Sequence, residues 1–266
     1  MAKIHLNIAG AFSKFHLLGG IVLRRQKIEI SVYDGLKHEW AGGRVHKYNS
    51  KFDTQKLKFY NSRGIKVYIA FSNNICDTSN PEGNKILQTL NDTENGVILC
   101  DGALRNLIKE RYPKISTIYS ITGHSNNINE INYNLESEYD LVVPRFEWIF
   151  NKEFLAKANP SKYEIMLNDT CKYGCHLWND HFSAISTYNR TCIGNPDEIQ
   201  ECWLPKFDPS ITSKHECMDL SADAIQKCLN LGYRHFKFSG RENPDSDFIS
   251  ELNAYLTILN ERTIND

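Results

Sequence analysis

Apolar residues along this chain gather into short runs separated by amphipathic stretches, and the alternation repeats from one end to the other. The β-rich runs cover residues 3–8, 27–32, 66–71, 96–100, 116–121, 140–143, 164–167 and 235–238. Several, such as VILC and LVV, are almost continuously apolar, as strands covered on both faces must be. Between them, helical periodicity comes with start and stop signals. Asp53 is placed to cap a helix that ends at Arg63-Gly64, residues 104–111 close on Tyr112-Pro113, and residues 222–231 stop at Gly232. Eight βα units with no obvious linker predict an α/β protein, a (β/α)8 TIM-like barrel forming one domain over residues 1–266. An open doubly wound sheet is the alternative.

The rhythm breaks once. Residues 168–234 separate the seventh run from the eighth, far more than one helix and two loops require. An insertion over about 169–220 is therefore expected at the C-terminal face of the barrel, where active sites form.

Length and composition agree with a single large core: 266 residues, 41% hydrophobic and 24% charged. The 31 basic residues balance 32 acidic ones, which argues against the broad positive field of extensive nucleic-acid binding. No run approaches the roughly 18 apolar residues of a membrane span, and the opening MAKIHLNIAG lacks the layout of a signal peptide. A cytoplasmic protein is expected.

The chain has eight cysteines, and in a reducing compartment clustered thiols point to metal or catalysis rather than disulfides. Cys171 and Cys175 leave the seventh strand together, with Cys192 beyond a helical segment and Cys202 before Trp203. Thiolates gathered in this way suit an iron–sulfur cluster or zinc. Cys217 competes with Cys202 for the fourth position, and His176 or His181 could complete a Cys/His zinc site. Cys100 and Cys228 read as core residues.

Residues at the ends of barrel strands form the floor of the open face. Arginine recurs there, as Arg44 after Trp40-Ala41-Gly42-Gly43, Arg145 after the sixth strand and Arg241 after the eighth. Guanidinium groups at one mouth suit an anionic small molecule, with Asn73 and Asn168 as further binding candidates. Each arginine could instead pair with a nearby acid such as Glu147 or Glu242, and Gly42-Gly43 could admit a ligand or supply a turn.

The segment MDLSADAIQKCLNLGYRHFKFSGRENP carries a resemblance. It is similar to the motif of the collagenase-like U32 peptidase family, in which Asp-Leu, a helix, a glycine and a strand reading Lys-Ile-Glu-Gly-Arg follow in order. The counterparts are Asp219, Leu220, Gly232 and Lys237-Phe238-Ser239-Gly240-Arg241. Ser239 stands where the family has glutamate, so that carboxylate's role does not carry over. The resemblance implies a barrel with a 4Fe-4S cluster, here on Cys171, Cys175, Cys192 and Cys202. It also implies relatives that hydroxylate ubiquinone precursors or tRNA without oxygen, some with prephenate as oxygen donor. An iron–sulfur enzyme of redox or hydroxyl-transfer type is therefore the expected function. The alternative is a non-catalytic, zinc-stabilised barrel that binds a metabolite, glycan precursor or partner protein. A peptidase or other hydrolase is a third reading, and no HExxH or obvious Ser–His–Asp set supports it.

Overall fold

The computed structural model describes residues 3–22, 27–125, 127–194 and 217–262. The eight apolar runs become eight parallel strands of one sheet. They are β1 (His5–Ala9), β2 (Glu29–Gly35), β3 (Val67–Phe71), β4 (Gly96–Leu99), β5 (Ser116–Tyr119), β6 (Leu141–Val142), β7 (Glu164–Met166) and, last in the chain, β10 (His235–Phe238). Their order around the sheet is β6-β5-β4-β3-β2-β1-β10-β7. A bridge between Val142 and Tyr163 joins the two ends, so the sheet curls into a nearly closed (β/α)8 barrel.

Period-two alternation sorts the side chains. Leu6, Ile8, Val32, Val67, Ile69, Phe71, Phe236 and Phe238 are fully buried in the hydrophobic core. Residues opposed in parallel register share a face, so the pairing of Asn7 with both Ser31 and Lys237 brings three polar side chains to one level of the barrel. A fully buried phenylalanine or leucine contributes roughly 1.5–3 kcal/mol, which is why the outer layer can outweigh a polar interior.

Helices occupy the connections: α1 (Phe15–Val22) follows β1, and α5 (Leu135–Glu138) and α6 (Lys152–Lys157) flank β6. Asp53 accepts from the Gln55 and Lys56 amides at the start of α2 (Thr54–Asn61). Asn80 and Pro81 open α3 (Pro81–Asp92), and Asp101 caps α4 (Gly102–Arg111). Ser221 caps α8 (Ala222–Asn230), which precedes β10 and the long α9 (Asp245–Arg262). No helix among the described residues is long and apolar enough to cross a membrane.

The expected insertion begins as β8 (Asn168–Lys172), which pairs antiparallel with β9 (Cys217–Asp219). Between them runs α7 (Trp178–Thr191). Asp219 of the Asp-Leu pair receives the Tyr255 hydroxyl from α9, and that hydroxyl also lies 3.1 Å from the Leu167 carbonyl. Asp219 thus fastens the last helix to the insertion.

Candidate active site at the C-terminal mouth

A cavity of about 80 Å³ sits at the C-terminal end of the barrel. Its inner wall is Ala9, Tyr33, Ala70, Ile98, Met166 and Lys237, and its rim includes Arg44, Ser72, Thr122, Asp169, Ser239, Arg241 and Glu242. Two of the three expected arginines therefore meet at one opening.

Arg44 reaches the rim on the loop after β2, and that loop is tightly held. The Asn73 side chain donates to the carbonyls of Glu39 (2.8 Å), Ala41 (3.2 Å) and Ser186 (2.8 Å). The Asn189 side chain donates to Ala41 (2.9 Å) and Arg44 (2.8 Å). Asn73 is wholly buried and outside the cavity lining, and its hydrogen bonds position the loop. Gly42 has a similar part: a Cβ there would stand 2.1 Å from the Ser72 carbonyl oxygen, so the glycine admits neighbouring backbone. Trp40 is buried beneath the loop.

Each expected arginine has a carboxylate partner. Arg44 Nη2 lies 2.9 Å from Glu242 and 3.2 Å from Asp169. Burial opposes the charge of Glu242, but Arg44 and Arg241 together hold its carboxyl below the ordinary range. Arg241 pairs with the fully buried Asp34 (3.5 Å) and donates to Asn49 (2.8 Å), not to its neighbour Glu242. Gly35 gives it room, since a Cβ would come within 2.6 Å of the guanidinium. Arg145 is outside the cavity lining. It forks onto Glu147 at 3.2 and 3.0 Å and lies 4.5 Å over the Trp178 ring.

Asn168 also serves the frame. Its Oδ1 accepts from the Ser239 amide (2.8 Å), its carbonyl accepts from the Ser239 hydroxyl (2.9 Å), and its Nδ2 donates to Glu251 (2.9 Å). Ser239 thus locks β10 to the start of the insertion and also reaches the rim.

A buried cation among the cavity's lining residues is Lys237, which composition alone does not single out. Its ammonium lies 3.3 Å from Glu164 and 4.2 Å over the Tyr33 ring. Burial lowers its affinity for a proton, and Glu164 partly restores it. The signal was present in the sequence: a lysine between Phe236 and Phe238 on a barrel strand must point inward if both phenylalanines point outward.

Beside the rim, Cys171 and Cys175 come together. The Cys171 thiol donates to Cys175 sulfur, pushing its own pKa up and drawing that of Cys175 down to about 6. The Gly174 amide between them donates to Glu147 (2.8 Å), so Arg145 and Glu147 brace the CxxxC turn. Cys192 is the exposed left-handed C-cap of α7, and Cys202 lies outside the described residues. β9 carries the backbone of Cys217 opposite Lys172. Among the described residues no three His, Cys, Asp or Glu side chains converge as a metal site. They supply two adjacent sulfurs, one of thiolate character, which is chemistry that fits part of a cluster or zinc donor set. Cys228 is core, as expected, whereas Cys100 is half-buried and its Sγ lies 3.4 Å from the Ser72 and Asn73 carbonyls.

No protein-family model matches the sequence, and no curated protein matches it either. Among solved structures, the barrel is similar to that described as "The Structure of the U32 Peptidase Mk0906", with a TM-score of 0.59 and 9% sequence identity. The likeness spans 90% of this chain and 93% of the other. At that identity what is shared is the fold, a (β/α)8 barrel, which the resemblance of the segment around Lys237–Arg241 also implied.

Proposed function

We propose that this chain is a divergent U32-type barrel enzyme that binds a small anionic molecule at its C-terminal mouth and carries a 4Fe-4S cluster beside it. The observation that carries this reading is the position of Asp169. One of its oxygens takes Arg44 Nη2 at 3.2 Å and the Cys171 amide at 3.3 Å, which couples the cavity rim directly to the cysteine pair. Cys171 and Cys175 would be two of the cluster's ligands, with Cys192 and either Cys202 or Cys217 completing the set. Bound there, such a cluster supplies one-electron chemistry for a redox or hydroxyl-transfer reaction. Arg44 and Arg241 would orient carboxylates on the substrate, and the lining residues Ala9, Ala70, Ile98 and Met166 would keep water away from it.

A hydrolytic role has less support, because no histidine or cysteine is among the described residues lining this cavity. The test is to purify the protein anaerobically and measure iron, acid-labile sulfide, zinc and visible absorption, with Cys171→Ala and Cys175→Ala alongside. Near four irons per chain, lost in both variants, is the expected result. Stoichiometric zinc would favour a zinc-stabilised binding protein, and a chain without iron after reconstitution would sink the cluster.

A further inference from the structure

Lys237 is not accounted for by the cluster or by anchoring at the rim. It is 5% exposed yet lines the cavity, and Glu164, its one hydrogen-bonding neighbour described, is itself fully buried. An ammonium has three donors, so an ordinary structural lysine at this depth would be expected to find more acceptors. Nearby, Asn7 gives its amide to Glu164 at 3.0 Å, while Asn7 Oδ1 and Ser31 Oγ are buried without a partner among the described residues. The barrel therefore presents a primary amine to the cavity, with one carboxylate and spare polar valence buried behind it.

We propose that Lys237 is a nucleophilic amine that forms an imine with the carbonyl of a small oxo acid entering the mouth, with Glu164 as its proton acceptor. The lowered proton affinity of Lys237 agrees with that role. Its ammonium passes a proton to Glu164, and the freed nitrogen pair attacks the carbonyl carbon. The C–N bond forms as the carbon–oxygen π pair moves to oxygen. The nitrogen's proton then reaches that oxygen, giving a neutral carbinolamine. Glu164 returns its proton to the departing hydroxyl, leaving water and an iminium paired with the regenerated carboxylate. Ammonium and carbonyl become iminium and water, so no oxidant or reductant is required. The substrate class rests on the reading of the mouth above: a carboxylate held at Arg44 or Arg241 would hang its carbonyl inward, towards Lys237.

The experiment treats the full chain with pyruvate or glyoxylate, reduces it with borohydride and maps labelled lysines by peptide mass spectrometry. Lys237 is expected to carry the reduced adduct in preference to surface lysines. The label should be lost from that peptide in the Lys237→Met/Glu164→Gln double variant, which leaves no buried charge unpaired and is checked for folding by circular dichroism. In parallel, the labelling is repeated in Arg44→Met and Arg241→Met, and L-lactate, which lacks the carbonyl, is tested for a thermal shift in the wild type and both arginine variants. An unlabelled Lys237, or label spread evenly over lysines, overturns the imine. If lactate still binds in an arginine-dependent way, the anionic mouth survives that failure. Labelling of Lys237 that neither arginine affects would uphold the imine and remove the anion-binding role.

Discussion

Glu164→Gln should expose how much of the barrel's stability depends on one buried ion pair. The carboxylate is fully buried, 3.3 Å from Lys237 Nζ and 3.0 Å from Asn7 Nδ2. Glutamine keeps the shape and can still accept from Asn7, so the loss falls on Lys237, left with the Tyr33 ring as its remaining described contact. Removing one member of a buried pair typically costs about 3–5 kcal/mol, because the survivor's charge is uncompensated. For a chain of this size that corresponds to a drop in melting temperature on the order of 10 °C. Adding Lys237→Met removes the orphaned charge and should recover all but about 1 kcal/mol. Guanidinium denaturation at pH 7 reads both values. The pH profile supplies a second test. Lys237 binds its proton less tightly folded than unfolded, so between its folded pKa and 10.5 the unfolded chain holds more protons and stability rises with pH. Without Glu164 that window should reach further towards neutral pH, with a slope of at most about 1.4 kcal/mol per pH unit. A single variant costing under about 1 kcal/mol, or a double variant no more stable than the single, would refute the reasoning.

Other expectations follow from the same geometry. Gly42→Ala should cost about 1–3 kcal/mol and weaken any ligand binding that depends on Arg44, since its Cβ collides with the Ser72 carbonyl; denaturation and ligand titration together would check it. His124 is buried against the Val143 carbonyl and burial lowers its pKa to about 4. Only the unfolded chain takes up that proton between pH 6.5 and 4, so stability should fall by roughly 3 kcal/mol as pH drops through this window. His124→Gln should flatten that part of the acid-unfolding curve. In metal-free protein, iodoacetamide should modify Cys175 with a midpoint near pH 6, and Cys171→Ala, which removes the donor, should shift the midpoint upward; an unchanged profile would rule out the shared proton.

Much of the molecule is legible along the chain because its determinants are local. Hydrophobic runs of strand length gave all eight barrel strands, and the cap at Asp53 is read within three residues of the amides it satisfies. The surplus of residues after the seventh run located the insertion, and the Lys237–Arg241 segment pointed to the barrel type. The site was legible only in outline. Arg44 and Arg241 reach the cavity as expected, but Arg145, Asn73 and Asn168 turn out to brace loops around it.

What the linear sequence determines here is which segments are strands and helices and that their alternation favours a closed barrel, since local periodicity and capping suffice for both. Partnership is decided only when the barrel closes. Arg241 finds Asn49 across 192 positions, Arg44 finds Glu242 across 198 and Lys237 finds Glu164 across 73. Such side chains are paired by strand order and register, and no spacing along the chain encodes them. Burial then decides what the pairs mean, because the same lysine and glutamate in water would be an unremarkable surface couple, whereas inside the barrel their desolvation makes them the candidate centre of its chemistry.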